Sequence, residues 1–235
     1  MKNSLKYLLV AGLGVLVFAC KKDNYAEPGA ILTGNLLYNT DTIYVERNSV
    51  HFQIYQYGFG KVGQISGDET FAQNGSYSAA LFNGDYKLIV PNGDGPFMWK
   101  QTTGGTPDSI SITMNGNQTL DLQVTPYYLI SNALLTKSSS NVNASFKIDK
   151  IITDVNAKDI ESVSLFINKT QFVSANNNIA RADVAGGDIT DPSSVSLSVA
   201  VPTITPTQSY VFARVGLKIA GVEDYIFSPL VKIDL

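Results

Sequence analysis

Between residues 74 and 97 the chain carries two short runs of alternating apolar and polar side chains, bracketed by Asn-Gly pairs at 74–75, 83–84 and 92–93. Asn and Gly accept the positive φ angles of tight turns at little steric cost, and alternation with period two is typical of a half-buried strand. The segment therefore predicts a β-hairpin. Its inward-facing residues are predicted to be Tyr77, Ala79 and Leu81 in the first strand and Tyr86, Leu88 and Val90 in the second.

The rest of the first half shows the same alternation in several short segments. Strands are predicted at residues 30–38, 50–55, 110–114 and 120–124. No segment in this half has a helical period of convincing length, so an antiparallel sandwich is the expected arrangement. Thr125-Pro126 then predicts a domain junction, because proline blocks continuation of a strand and restricts the residue before it.

The second half repeats this pattern. Strands are predicted at residues 127–136, 142–148, 163–168 and 195–201, with a single helical turn within 154–161 and a closing hairpin of 210–220 and 225–233 around Gly221. At 235 residues both halves are long enough to bury a core. The predicted fold is all-β, with two antiparallel sandwiches in tandem.

Particular motifs in both halves resemble known sandwich families. The segments GAILTG, VHFQIYQYG and NGSYSAALFNGDYKLIV resemble the carboxypeptidase-regulatory or transthyretin-like sandwich, which implies such a domain at residues 29–125. The Tyr-x-Phe-x-Arg motif at 210–214 resembles the last strands of a fibronectin type III or immunoglobulin-like sandwich, implying that type for residues 126–235. Together with Gly-Pro-Phe at 95–97, the chain resembles a Bacteroidetes lipoprotein family of unknown function. Members of that family are often found with outer-membrane glycan uptake systems of the starch-utilisation type.

The N-terminus has the layout of an export signal. Lys2 and Lys6 precede an apolar run at residues 7–18, which is shorter than the roughly 20 residues that a spanning helix needs. Cys20 is the one cysteine of the chain, and Val-Phe-Ala-Cys at 17–20 resembles a bacterial lipobox. The alternative is a chance cysteine near the end of a signal peptide. We expect residues 1–19 to be cleaved and residues 20–28 to be a tether, lipidated at Cys20.

The net charge and the residues that follow Cys20 agree with an exported lipoprotein. The formal net charge is −3, and removing residues 1–19 removes two lysines and no acid, so nucleic acid is not an expected partner. Lys22-Asp23 resembles the charged signals that direct Bacteroidetes lipoproteins to the cell surface. The expected location is the outer membrane, with the protein facing outward on its lipid anchor.

Residues with catalytic or metal-binding potential are few. His51 is the only histidine, and it lies between the apolar Val50 and Phe52 on a predicted strand. A position on the outer face of that strand is therefore favoured over a catalytic role. One histidine and one cysteine do not make a zinc site, and the loop residues Asn92, Asp94, Asp188 and Asp191 are better explained as solvated turns than as a calcium site. We expect no enzyme activity, no cofactor and no metal, although a carboxylate pair for glycoside hydrolysis stays a third alternative.

Aromatic residues supply the remaining candidates. Tyr57 and Phe59 follow one predicted strand, and Phe97 and Trp99 follow the predicted hairpin. Exposed rings would stack on sugars, whereas buried rings would close the end of a sandwich, and burial is favoured because exposed apolar patches on stable monomers are small. The favoured function is a non-catalytic accessory module of a glycan uptake system, with a polysaccharide or an outer-membrane receptor or transporter as partner. The alternative is a structural or adhesin-type scaffold that makes protein–protein contacts.

Overall fold

A computed structural model describes residues 27–57, 63–64 and 69–235. The strands of the N-terminal half are β1 (Ala30–Tyr38), β2 (Asp41–Thr42), β3 (His51–Tyr57), β4 (Gly63–Gln64), β5 (Glu69–Thr70), β6 (Ser76–Leu81), β7 (Gly84–Ile89), β8 (Phe97–Met98), β9 (Ile110–Met114), β10 (Gln118–Thr119), β11 (Leu122–Gln123) and β12 (Thr125–Pro126). Those of the C-terminal half are β13 (Tyr128–Ser138), β14 (Asn141–Lys150), β15 (Ile160–Asn168), β16 (Ala180–Ala185), β17 (Val195–Ala200), β18 (Tyr210–Ile219), β19 (Tyr225–Phe227) and β20 (Val231–Asp234). A 3-10 turn spans Gly186–Asp188.

Each half contains two main sheets around a buried apolar core. In the N-terminal half β1 pairs with β2, β6, β10 and β11, and the second sheet has the order β4-β3-β7-β9 with β5 also on β3. In the C-terminal half β13-β14-β17 form one sheet, and β16, β15 and β18 form the other, with β19 and β20 both paired to β18. The small β8–β12 pair lies where the two halves meet. The predicted all-β fold of two sandwiches is confirmed.

The hairpin predicted for residues 74–97 is wrong, because its two strands lie in different sheets. β6 pairs with β1, whereas β7 lies between β3 and β9. Phe82 and Asn83 therefore carry the chain from one sheet to the other. The six residues predicted to face inward are all buried, so the alternation was interpreted correctly and only the pairing was not.

Two smaller expectations are also corrected. The segment that follows β14 contains a turn closed by the hydrogen bond from the Ala157 N–H to the Asp154 carbonyl, in place of the predicted helical turn. The N-terminal sandwich is not purely antiparallel, since β10 and β11 pair with β1 in parallel. The closing hairpin around Gly221 is confirmed by the pairing of β18 with β19 and β20.

A buried arginine joins the two halves. Arg214 of β18 is 1% exposed, and its guanidinium lies 3.5 Å from the ring centre of Phe227. Its Nε donates to the Val173 carbonyl at 2.5 Å, and its Nη1 donates to the Val45 carbonyl of the N-terminal half at 3.1 Å. Burial lowers the pKa of Arg214 to about 9, while Glu46 opposes this, so the side chain stays charged at neutral pH. A buried charge is costly unless it is satisfied, so these contacts fix Val45 against the C-terminal sheet.

A buried carboxylate makes the second connection. Asp224, in the β18–β19 loop, accepts from the Ser49 hydroxyl at 2.5 Å and from the Gly95 N–H at 3.0 Å. The Phe227 N–H also donates to the Tyr44 carbonyl at 3.0 Å. Loops of the N-terminal half are thus attached to the edge of the C-terminal sheet by charged and backbone hydrogen bonds.

A histidine and a carboxylate lie close together beside this connection. The Nδ1 atom of His51 is 3.8 Å from Oδ1 of Asp94, and each side chain is about one third exposed. Burial raises the pKa of Asp94, which His51 opposes and the nearby Asp224 and Glu223 reinforce. His51 therefore has an electrostatic partner at the junction between the two halves.

The seam between β1 and residues 118–123 leaves no room at Gly34. A Cβ atom there would lie 1.9 Å from the Leu120 carbonyl oxygen, which accepts the Tyr77 hydroxyl at 2.7 Å. We expect Gly34→Ala to lower the free energy of unfolding by about 1–3 kcal/mol, since an inserted methyl forces backbone to move. Urea unfolding followed by tryptophan fluorescence measures this.

The control is Gly29→Ala, because a Cβ atom at Gly29 meets nothing within 4 Å. Its effect should stay within about 0.5 kcal/mol, as for an ordinary surface change. Equal stability of the two variants would contradict the tight parallel seam.

Asp94 makes stability depend on pH with a defined sign. Because its pKa is raised in the folded protein, its ionisation opposes folding. The penalty is absent where the group is protonated in both states, and it grows as pH rises above the unfolded value of about 4 through the folded pKa. We therefore expect Asp94→Asn to raise the thermal midpoint more at neutral pH than below pH 4, as measured by circular dichroism.

Asp149 is the matched control with the opposite sign. Lys147 and the Ser131 hydroxyl bind its carboxylate, and these hydrogen bonds lower the pKa of Asp149. Its ionised form therefore contributes stability above the unfolded pKa, and this is lost as pH falls through the folded pKa. Asp149→Asn should lower the midpoint at neutral pH and lose that effect in acid. Parallel pH profiles for the two variants would count against both assignments.

Candidate functional site

The candidate site is a pair of grooves on either side of the segment from β8 to Gln101, between the two halves of the chain. The first, called here the Tyr38 groove, has a volume of about 600 Å³. The second, called the Tyr127 groove, has a volume of about 700 Å³. Met98, Trp99 and Gln101 line both grooves, so the segment forms the ridge between them. Pairing of β8 with β12 holds this ridge at the junction between the domains.

The structure buries two of the four candidate aromatics, which is the alternative that the sequence favours. Phe97 and Trp99 are each 4% exposed, so neither presents a ring face to solvent. Tyr57 is half-buried at the end of β3, with the Lys87 ammonium 5.4 Å from its ring centre, and it lines neither groove. Phe59 lies outside the described residues. Phe97 and Trp99 are therefore corrected as candidates for stacking on a sugar, because their rings are buried.

The physical reason for the burial of Trp99 is the loop that follows it. Its indole Nε1 donates to the Asp108 carbonyl at 2.7 Å, and the Lys100–Asp108 ion pair at 3.3 Å closes the same loop. An indole with its N–H satisfied internally acts as a structural anchor. Trp99→Ala would leave a cavity and destabilise the fold, so a loss of binding in this variant would not identify Trp99 as a ligand contact.

The Tyr38 groove is bordered by amide side chains from both domains. Asn39, at the end of β1, has φ 55°, and its backbone N–H and carbonyl bond the Gln123 side chain at 3.1 and 3.2 Å. The Asn39 amide itself makes no hydrogen bond to the described residues. Asn156 is similar, since its backbone N–H donates to Asp154 while its exposed amide has no partner in the described part of the chain. Two amides on hydrogen-bonded backbone are thus free to bind a ligand.

The ridge and the Tyr127 groove add further polar groups. The Gln101 amide donates to the Asn92 side chain at 3.0 Å, and Asn92 donates to the Gly105 carbonyl at 2.9 Å. Tyr127 is half-buried, with the Lys158 ammonium 5.8 Å from its ring centre. Burial raises the pKa of Tyr127, so its hydroxyl is a neutral donor and acceptor.

The charges that line the grooves are balanced. The Tyr38 groove has Lys100 and Asp154, and the Tyr127 groove has Lys158 and Glu223. His51 lines neither groove, and the described residues contain no group of three or more His, Cys, Asp or Glu that could hold a metal ion. Amides, phenols and balanced charge suit an uncharged ligand with many hydroxyl groups.

Sequence reasoning missed Tyr38, Asn39 and Tyr127 as candidates. Asn39 directly follows a predicted strand, and Tyr127 directly follows the predicted junction. Ligand sites often form at domain interfaces, so the junction itself was the available signal. Cys20 lies outside the described residues, and within them no helix is long and apolar enough to cross a membrane.

Both halves of the chain match domain models of one family. Residues 30–125 match the model of the N-terminal domain of DUF3823, a family of proteins of unknown function. The model of the DUF3823_C domain, also of unknown function, matches residues 128–232. No curated protein matches the chain.

Solved structures of DUF3823 proteins superimpose on most of the chain. One from Parabacteroides merdae is 32% identical, with a TM-score of 0.76, and the match covers 89% of this chain and 100% of that one. One from Bacteroides ovatus is 29% identical, also with a TM-score of 0.76, covering 88% and 99%. A Bacteroides uniformis protein that is proposed to bind carbohydrate is 16% identical, with a TM-score of 0.65 and coverage of 88% and 100%, which shows a shared fold. The chain belongs to the DUF3823 family.

Proposed function

We propose that the protein is a non-catalytic glycan-binding module whose binding site is the pair of grooves between its two domains. The observation that carries this proposal is the set of amide and phenol groups around the ridge, with the free amides of Asn39 and Asn156 at its border. Amides donate and accept at once, which matches the hydroxyl groups of a sugar. Volumes of about 600 and 700 Å³ are typical of small-molecule sites.

Two further observations support this function. The aromatic rings that border the grooves, those of Tyr38 and Tyr127, are half-buried and can offer an edge or part of a face to a sugar. The Bacteroides uniformis protein of the same fold is itself proposed to bind carbohydrate. Because its identity to this chain is low, the geometry of the grooves carries more weight than that likeness.

The anchor is the second part of the proposal. Lipidation at Cys20 would leave residues 21–29 between the anchor and β1 at Ala30, a distance of at most about 32 Å. The module would then act on the outer membrane, as an accessory to a glycan uptake system. The firm contacts between the two domains would also suit a rigid scaffold, which is the function we would infer if no glycan binds.

Removal of the Asn39 amide tests the glycan site. Asn39→Gly retains the left-handed backbone and deletes only the side chain, so the fold should be unchanged. If neutral plant or host polysaccharides bind the soluble protein with Cys20→Ser, this variant should bind about three- to tenfold more weakly, because one hydrogen bond is lost. Isothermal titration calorimetry against a polysaccharide panel measures this.

Asn48→Gly is the matched control, since Asn48 also has a positive φ of 60° but lines neither groove. Its affinity should equal that of the parent protein. Binding that is unaffected by Asn39→Gly and by Asn156→Ala would place any glycan site elsewhere. No heat with any glycan would reject the glycan-binding function.

Replacement of Cys20 tests the anchor independently. Expressed in a bacterium that processes lipoproteins, the parent chain should enter the membrane fraction and incorporate a labelled fatty acid. Cys20→Ser should abolish the label and release the protein from the membrane, since acyl chains contribute about 0.8 kcal/mol per buried methylene. Ser4→Ala within the expected signal is the control and should leave both properties unchanged. Membrane retention of the unlabelled Cys20→Ser protein would show that something other than lipid holds it.

A further inference from the structure

A separate cavity of about 160 Å³ lies at the contact between the domains, on the side of Arg214. The buried residues Arg214, Val173 and Ser174 line it, and the exposed Arg47, Asn176 and Asn177 lie at its border with solvent. One water molecule occupies about 30 Å³ in the liquid. The cavity therefore has room for about five waters or one small organic molecule. It is distinct from the Tyr38 and Tyr127 grooves.

The guanidinium of Arg214 is incompletely satisfied at this cavity. Nε and Nη1 are bonded to the carbonyls of Val173 and Val45, whereas Nη2 donates to no described residue. No carboxylate lies within 4 Å of Arg214 in the described part of the chain. Buried guanidinium groups normally pair with a carboxylate or phosphate through two parallel hydrogen bonds. The free edge of Arg214 is therefore placed to bind an anion.

A second buried polar atom belongs to a residue that lines the same cavity. The Oε1 atom of Gln73, which also lines the cavity, is buried without a hydrogen-bond partner among the described residues. Its Nε2 donates to the Gln171 carbonyl at 3.0 Å, which fixes the orientation of the amide. A buried acceptor left unpaired costs about 1–3 kcal/mol, so this oxygen requires a donor. A ligand with a hydroxyl beside an anionic group would supply this donor.

The walls of the cavity are held in place before any ligand binds. The buried Asn168 amide donates to the Phe172 carbonyl at 2.7 Å and to the Asn177 side chain at 2.9 Å. The Arg47 guanidinium lies 4.6 Å from the centre of the Phe172 ring. Glu46 also lines the cavity and offsets one of the two arginine charges, which leaves a net charge of about +1 for a monovalent anion.

We propose that this cavity binds the hydroxycarboxylate group of a small acid or of an acidic sugar, with the carboxylate on Arg214 and Arg47 and the hydroxyl on Gln73. Lactate carries this hydroxyl on the carbon next to the carboxylate, and glucuronate offers a carboxylate with its nearest hydroxyl one carbon further away, on C4. This site does not rest on the proposed glycan grooves, because it shares no lining residue with them.

Thermal shift and calorimetry on the soluble chain with Cys20→Ser test this proposal. At millimolar concentration and constant ionic strength, lactate or glucuronate should raise the melting temperature by about 2–4 °C over sodium chloride. Acetate should have a smaller effect, and glycerol should have none. A response to lactate alone would identify the free acid as the ligand, and a response to glucuronate alone would identify the acidic sugar.

Variants at the border of the cavity make the test specific. Arg47→Gln should weaken binding about tenfold, since Arg47 is exposed and its loss spares the fold. Arg181→Gln is the control, because Arg181 is an exposed arginine on β16 that pairs with Asp183. Gln73→Leu should abolish the preference for lactate over acetate. Equal effects of lactate, acetate and chloride, or equal effects of the two arginine variants, would overturn the proposal.

Discussion

The buried charge of Arg214 is the interaction on which the relation between the two domains depends. It projects from β18, the strand that pairs with β15, β19 and β20, and it bonds the backbone of Val45 in the other domain. A charge in this position is tolerated only where hydrogen bonds replace its hydration. Separation of the domains would break the hydrogen bond from Arg214 to the Val45 carbonyl. Asp224 acts in the same way on Ser49 and Gly95. These two opposite charges each bond groups of the other domain, and they add directional contacts to an apolar core whose buried residues come from both halves.

Much of the fold could be predicted because one face of each main strand is buried. Residues 30–38 and 110–114 alternate in sequence, and both segments form strands with those bounds. The placement of β6 and β7 in different sheets could not be predicted, because an Asn-Gly pair marks a reversal of the chain and not the sheet to which the next strand belongs. Both strands bury the expected face, so the alternation fits a hairpin and a crossing between facing sheets equally well. β16 was missed since its inward residues, two alanines and one valine, give a weak signal.

The candidate site was less predictable than the fold for a different reason. An aromatic residue in a loop is a possible stacking surface or a possible anchor, and the outcome depends on whether its polar atom finds a partner inside the protein. The Trp99 indole donates to the Asp108 carbonyl, nine residues further along the chain, and no local sequence pattern predicts this hydrogen bond. Asn39 and Asn156 are more than a hundred positions apart, and only the packing of the two domains brings them to one groove. The junction at Thr125-Pro126 indicated where to look but not which side chains meet there.

The rigid junction bears directly on binding. A groove formed between two mobile domains would have to be ordered by its ligand, and that ordering would reduce affinity. Here the contacts of Arg214 and Asp224 fix the domains before a ligand arrives, so the amides of Asn39 and Asn156 already face one groove. A glycan that touches both amides would in turn stabilise the junction, because it binds only the docked arrangement. Domain docking and ligand binding are thus expected to reinforce each other, and a change that loosens Arg214 would weaken binding without touching the grooves.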